Sequence, residues 1–123
     1  HLGPDQLWIG GGLYAPQTPQ LQRIREHIVS NLRSFRTLAE SPAMRRFGGV
    51  TGSRLKRVPR GFPADHEAAD YLRLKQYLAG EELDPALALS PRFYSTLVRR
   101  FTALAPLITF LNTPLIKAAR FTL

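Results

Sequence analysis

The strongest constraint on the fold is an apolar repeat near the carboxyl end of the chain. Large apolar residues recur there at spacings of four, four, three, four and three: Phe93, Leu97, Phe101, Leu104, Ile108 and Leu111. This spacing places them on one face of a helix. Ser90 and Pro91 suit the cap and the start of that helix, while Pro106 predicts a kink or two abutting helices and Pro114 a further break. The last third of the chain is therefore predicted to be helical.

The residue pattern in the first third of the chain predicts one strand followed by helices. Residues 7–14 are apolar and aromatic around three glycines, which indicates a strand with a bulge or a close backbone contact. Thr18 and Pro19 suit the cap and the first position of a helix. Its apolar face carries residues at helical spacing: Leu21, Ile24, Ile28 and Leu32. A second helix is predicted over residues 32–40, and one more turn over residues 42–47.

The middle of the chain holds weaker signals. Residues 48–52 form a glycine loop, and residues 53–59 favour an extended segment. Asp65 suits the cap of a short helix over residues 66–72, residues 74–78 alternate as a strand does, and residues 80–89 form an acidic connection. Together the elements predict an α+β fold, in which a small antiparallel sheet is covered by helices.

Composition excludes several classes of protein. The chain has 123 residues, of which 44% are hydrophobic and 21% charged, which fits one globular domain and not a disordered chain. Because cysteine is absent, disulfides, thiolate catalysis and cysteine metal sites are excluded. No apolar run reaches the ~18 residues of a membrane span, and small secreted proteins usually need disulfides. We therefore expect a soluble cytoplasmic protein with no membrane partner, no metal and no cofactor.

The most informative stretch is the basic segment, residues 45–60. The chain carries 17 Lys and Arg against 9 Asp and Glu, a formal charge of +8, and the basic segment contains no acidic residue. Guanidinium groups bind phosphate or carboxylate bidentately, and glycine loops let backbone N–H groups approach an oxyanion. We predict an anion site from these residues: Arg54, Lys56, Arg57, Arg60, Gly49 and Gly61. The alternative is a solvated loop paired in part with Glu81, Glu82 and Asp84.

Asp65 and His66 are the candidates for acid–base chemistry. Consecutive helical residues point about 100° apart, so Asp65, His66 and Glu67 cannot all face one ion. His66 and Asp70 are four residues apart and are placed to meet on one helix face. The alternative role for Asp65 is the helix cap.

Several motifs together resemble one protein family. Gly48 and Gly49 precede the decapeptide at residues 53–62, Ser-Arg-Leu-Lys-Arg-Val-Pro-Arg-Gly-Phe, and Asp65 and His66 follow it. This order resembles the bacterial and fungal family of conserved hypothetical proteins known as domain of unknown function 2461. The similarity covers nearly the whole chain.

Three departures from the family pattern concern the same region. Val58 and Glu67 stand where the family commonly has proline, and residues 76–81 replace a strand that carries an aromatic residue and Arg. The family also has an N-terminal half that this chain lacks, and residues 1 and 2 look like the stub of a hairpin partner. The resemblance therefore implies that residues 1–123 are the C-terminal part of a larger domain. Its edge strand at residues 7–14 would be open to self-association or to the missing half.

Three functions remain open at this point. The first is a non-catalytic module that binds a phosphate-bearing ligand, with nucleic acid as the leading candidate, through the basic segment. The second is an enzyme acting on an acidic small substrate, with His66 and Asp65 or Asp70 transferring protons. The third is a structural or interaction protein whose basic segment docks the missing N-terminal half. The resemblance supplies a fold and candidate residues but no reaction.

Overall fold

The computed structural model describes residues 7–122 of the chain, with the side chains of residues 7–115. The elements follow in this order: β1 (Leu7–Leu13), α1 (Thr18–Ser30), α2 (Leu32–Ala39), α3 (Pro42–Arg46), α4 (Ala69–Leu72), β2 (Tyr77–Leu83), a 3-10 helix (Pro85–Leu89) and α5 (Phe93–Thr122). This confirms the predicted α+β class with a helical C-terminal third. Within the described range no helix combines the length and the apolarity that a bilayer span requires. The expected hairpin stub at residues 1 and 2 lies outside that range.

The sheet consists of β1 and β2, which pair antiparallel along their whole length. Gly10 faces Gly80 in this register, and the indole of Trp8 lies across both glycines. A Cβ atom added at either position would overlap the indole. The glycines of β1 thus permit the close contact that the sequence predicted for this strand.

The second strand lies later in the sequence than residues 74–78, so that prediction is wrong in its bounds. Residues 80–83, predicted as part of an acidic connection, belong to β2. Leu74 forms an isolated antiparallel bridge with Arg54 instead, and the Lys75 N–H donates to the Ser53 carbonyl at 2.8 Å. The acidic strand is tolerated because the Glu81 carboxylate forms an ion pair with Arg100 of α5.

α5 covers the inner face of the sheet. A Cβ atom on Gly11 would lie 2.8 Å from Ile108 Cδ1, so glycine lets the helix approach the strand closely. α5 is one helix that continues through Pro106 and Pro114, so the predicted division into two abutting helices and the break at Pro114 are wrong. Each proline removes one backbone hydrogen bond, at a cost of about 3 kcal/mol. Burial of Leu104 and Leu107 on both sides of Pro106 offsets that cost.

Two helix starts differ from the predicted ones. Gln17, not Thr18, caps α1, and the Gln20 side chain accepts from the Gln17 N–H at 2.8 Å. α5 begins at Phe93, and the Ser90 hydroxyl accepts from the Arg92 N–H at 3.1 Å in the turn before it. Both differences leave the apolar faces unchanged, because the repeat and not the cap decides which side of a helix is buried.

A buried polar cluster joins α1 to the segment before β2. Tyr77 is fully buried, and its hydroxyl donates to the Tyr71 carbonyl at 2.7 Å. Arg25 of α1 is 6% exposed, and its Nη2 donates to the Leu74 carbonyl at 3.0 Å. Burial raises the pKa of Tyr77 to about 12. The two side chains hold the backbone between α4 and β2 against the helical core, whose main apolar members are Ile24, Ile28, Phe35, Met44, Leu72, Leu104, Leu107 and Leu111.

We expect Gly12→Ala to destabilise the protein by about 3 kcal/mol or more. Gly12 has a φ of +130°, and a Cβ atom there would overlap the Tyr77 carbonyl. Gly61→Ala is the matched control, because Gly61 has a φ of +96° with nothing within 4 Å of the added atom. It should cost only about 1–2 kcal/mol. Urea unfolding measures both, and equal losses would contradict the sheet geometry.

Alkaline unfolding tests the buried phenol of Tyr77. Its pKa in the folded protein is about 12 against the ordinary 10.0, so the unfolded chain ionises first. This contribution to stability is complete below pH 10 and is lost as the pH rises towards 12, by up to about 1.4 kcal/mol per pH unit. Tyr77→Phe should therefore lose less stability than the wild type between pH 9 and pH 11 in urea titrations. An unchanged pH dependence would show that the hydroxyl is not buried.

Candidate functional site: a glycine-bordered cleft

The glycine cleft is an open depression of about 730 Å³ beside α2, the end of α3 and α4. It is lined by Arg36, Ala39, Glu40, Arg45, Gly48, Gly49, Val50, Arg54, Glu67, Asp70 and Tyr71. Two of the residues predicted from the sequence, Arg54 and Gly49, lie in it. The predicted loop therefore contributes to a concave site, together with residues from three helices.

Gly48 and Gly49 end α3 and leave space in the cleft. The Gly48 N–H donates to the Arg45 carbonyl at 3.0 Å, and the Gly49 N–H donates to the Met44 carbonyl at 2.9 Å. Both glycines have positive φ, +81° and +84°, which suits a glycine helix terminus. A Cβ atom on either would meet nothing within 4 Å. Both N–H groups are therefore engaged within the chain and are not free to donate to a ligand. The two glycines leave open space in the wall of the cleft because they carry no side chains.

Arg45 and Arg54 form the cationic side of the glycine cleft. Arg45 is placed by the last turn of α3, whose first turn is capped by the Ser41 hydroxyl accepting from Met44 at 3.2 Å. Arg54 is placed by its backbone bridge to Leu74. Both side chains are exposed, and neither has an ion-pair or hydrogen-bond partner among the described residues. Both guanidinium groups are thus available to a ligand.

Glu40 and Tyr71 form the acidic side. The Tyr71 hydroxyl donates to Glu40 Oε2 at 2.9 Å, and Arg36 Nε lies 3.9 Å from the same oxygen. Burial, followed by the hydrogen bond to Glu40, raises the pKa of Tyr71 to about 12. Tyr71 is therefore a hydrogen-bond donor at neutral pH, and Arg36 also donates to the Glu67 carbonyl at 2.9 Å. These contacts hold one carboxylate and one phenol at the wall of the cleft.

Of the four cations predicted for the anion site, only Arg54 lines the glycine cleft. Lys56, Arg57 and Arg60 are exposed and do not line the glycine cleft. Gly61 lies in the turn that follows them. The alternative in which the basic segment is paired in part with Glu81, Glu82 and Asp84 is wrong, because no ion pair within the described chain joins them to it. Glu81 pairs with Arg100, and the Asp84 side chain accepts from the Ala86 N–H at 3.0 Å.

His66 stabilises a turn before α4, and Asp65 is exposed. α4 begins at Ala69 with Ala68 as its cap, so the prediction that Asp65 caps a helix over residues 66–72 is wrong. The turn is held instead by His66, whose Nδ1 accepts from the Ala68 N–H at 2.9 Å. Asp70, the predicted helical partner of His66, lies 3.9 Å from Arg73. His66 does not line the glycine cleft.

Sequence reasoning missed the helical half of the cleft. Arg36, Glu40 and Tyr71 come from elements that were assigned only to packing, and their convergence depends on tertiary structure. One signal was present, because Arg36 and Glu40 have the four-residue spacing of a helical ion pair. No group of three or more Asp, Glu or His side chains suited to a metal occurs between residues 7 and 115.

Comparison with known proteins places the chain in a family. Residues 1–110 match the family described as conserved hypothetical protein (DUF2461). The chain therefore belongs to this family, which confirms the resemblance seen in its motifs. No curated protein and no solved structure matches the chain.

The pKa of Tyr71 tests the geometry of the acidic side. We expect the Tyr71 phenol to titrate at about pH 12 in carbon-13 NMR of labelled tyrosine. Glu40→Gln should lower this pKa, because it removes the charged acceptor, yet leave it above the ordinary value, because burial is the larger cause. Glu26→Gln on α1 is the matched control and should change nothing. An unaltered Tyr71 titration in Glu40→Gln would contradict the hydrogen bond.

Proposed function

We propose that this member of the DUF2461 family is a non-catalytic module that binds a phosphate group in the glycine cleft. One observation carries the proposal: Arg45 and Arg54, both without a carboxylate partner in the described chain, line a cleft whose glycine wall leaves room for a ligand. Guanidinium groups bind phosphate through paired N–H donors that match its oxygens.

The charges in the cleft limit what kind of ligand fits. Three arginines and three carboxylates line it, so it is formally neutral. Glu40 is engaged by Arg36 and Tyr71, and Asp70 lies near Arg73, which leaves Arg45 and Arg54 as the uncommitted cations. One phosphate group suits this site better than a dense array of phosphates, which would meet the carboxylates.

The acidic side supports a ligand that also carries hydroxyl or amino groups. Carboxylate oxygens accept hydrogen bonds, and Glu67 has no side-chain partner within the described residues. A phosphorylated sugar, a nucleotide or the terminal phosphate of a nucleic acid presents both kinds of group. His66 lies off the cleft, so the proposal assigns no reaction to it.

Substitution of the two free arginines tests the proposal. Arg45→Gln and Arg54→Gln should each weaken binding of inorganic pyrophosphate by about tenfold or more, since a charge-assisted hydrogen bond contributes about 1.5–3 kcal/mol. Isothermal titration calorimetry at low salt measures the affinity. Arg23→Gln on the exposed side of α1 makes the same charge change away from the cleft and should leave binding unchanged.

Two outcomes would overturn the proposal. The first is a folded wild-type protein that does not bind pyrophosphate. The second is an equal loss of affinity in Arg23→Gln, which would mean that net charge and not the cleft attracts the anion. Circular dichroism on each variant shows whether the fold is retained.

A further inference from the structure

A second depression, the arginine cleft, adjoins α3 and α5. It measures about 420 Å³ and is lined by Ala43, Arg46, Phe47, Glu81, Arg99, Arg100 and Ala103. Three of these seven residues are arginines, and Arg99 and Arg100 lie outside the basic segment that stands out in the sequence. The cleft forms only because α5 packs beside the end of α3.

The ion pairs in the arginine cleft leave an excess of positive charge. Arg100 forms an ion pair with Glu81, and both side chains are largely shielded from solvent. Glu81 is the one carboxylate among the lining residues. Arg46 and Arg99 therefore have no carboxylate partner within the described chain. The glycine cleft balances three arginines with three carboxylates, whereas the arginine cleft opposes three arginines with one.

The arginine cleft brings cations from two helices around one concave space. Arg46 of α3 and Arg99 of α5 are both exposed, so their guanidinium groups are accessible to a ligand in the cleft. A phosphate there can accept hydrogen bonds from both helices at once.

The last turn of α3 contributes one arginine to each cleft. Arg45 lines the glycine cleft and Arg46 lines the arginine cleft, because consecutive helical residues point about 100° apart. Their Cα atoms are only about 3.8 Å apart. Pro42, Arg45 and Arg46 are exposed, so no described element covers α3 between the clefts.

We propose that the arginine cleft is a second phosphate site, and that a chain of linked phosphates crosses the end of α3 from one cleft to the other. In this arrangement the terminal phosphate lies with Arg45 and Arg54, and a later phosphate of the same chain lies with Arg46 and Arg99. A nucleic-acid strand carries one charged phosphate per nucleotide, so a single strand presents several phosphates in succession to the arginines of the two clefts. The inference rests on the proposed function for the first cleft and adds the second one.

We call the path from Arg45 and Arg54 to Arg46 and Arg99 the phosphate track. Salt-dependent binding of a single-stranded DNA tests the track. The probe is a fluorescein-labelled, 5′-phosphorylated oligonucleotide of about 12 nucleotides, within the range that one small domain covers. Fluorescence anisotropy gives its affinity at several salt concentrations. Arg46→Gln and Arg99→Gln should each weaken binding by about tenfold. Each should also reduce the slope of log K against log salt by about 0.7, because one phosphate fewer is neutralised and fewer counterions are released.

Arg23→Gln serves as the control with the same charge change. Arg100 is left intact because its substitution would break the ion pair with Glu81.

The outcomes separate this inference from the proposed function. If Arg46→Gln and Arg99→Gln match the control while Arg45→Gln and Arg54→Gln weaken binding, the second site is overturned and the first one stands. If Arg45→Gln and Arg54→Gln match the control, the strand does not use the glycine cleft and the track is overturned, whereas the pyrophosphate titration decides the proposed function by itself. Equal effects of all five substitutions would show diffuse attraction and overturn both.

Competition identifies the source of the phosphates. Inorganic polyphosphate that displaces the oligonucleotide at an equal concentration of phosphate would support a track that binds the phosphates alone. Oligonucleotide binding that resists polyphosphate, yet still depends on Arg46 and Arg99, would support a nucleic acid whose bases add contacts. Failure of both chains to bind a folded wild-type protein would overturn the track.

Discussion

The hydrogen bonds that Tyr77 and Arg25 donate in the core hold the rest of the structure in register. They engage the carbonyl of Tyr71 within α4 and the carbonyl of Leu74 in the short segment that leads from α4 into β2. Arg25 Nη2 donates to the Leu74 carbonyl from inside the core, so this contact fixes the position of the Leu74 backbone relative to α1. The same constraint turns the Tyr71 ring towards Phe35, with centroids 4.8 Å apart and planes at 85°, and its hydroxyl towards Glu40. The acidic side of the glycine cleft is therefore a consequence of core packing.

On the cationic side of the glycine cleft, α3 positions Arg45. It is only five residues long, and it is closed at one end by Ser41 and at the other by Gly48 and Gly49. Short helices gain little from backbone cooperativity, so these end contacts and the buried Met44 define where it begins and stops. The position of its last turn determines that Arg45 lines the glycine cleft and Arg46 lines the arginine cleft. A shift of α3 by one residue would bring other side chains to both clefts.

The sequence predicted what depends on local repetition and missed what depends on tertiary contacts. The faces of α1 and α5 follow from apolar spacing, and β1 follows from its glycines and aromatic residues. The bounds of β2 were missed because Glu81 in a strand looks unfavourable until its partner Arg100 is known. Pro106 looked like a helix break because the leucines that offset its cost lie against other elements. In the site, Arg54 and Gly49 were found from charge and glycine content, whereas Arg36 and Tyr71 could be found only from the fold.

The contact between Trp8 and the glycine pair gives the protein an optical property of its own. Trp8 is the only tryptophan in the chain, and its indole rests on the backbone of Gly10 and Gly80 while 38% of the residue stays in contact with solvent. Its emission thus depends on whether the two strands remain paired. Tyr77 of β2 belongs to the buried core and Ile108 of α5 packs against Gly11 of β1, so separation of the strands would also disturb the packing of the sheet on the helices. The single tryptophan therefore reports on the sheet and its attachment to the core in the unlabelled protein.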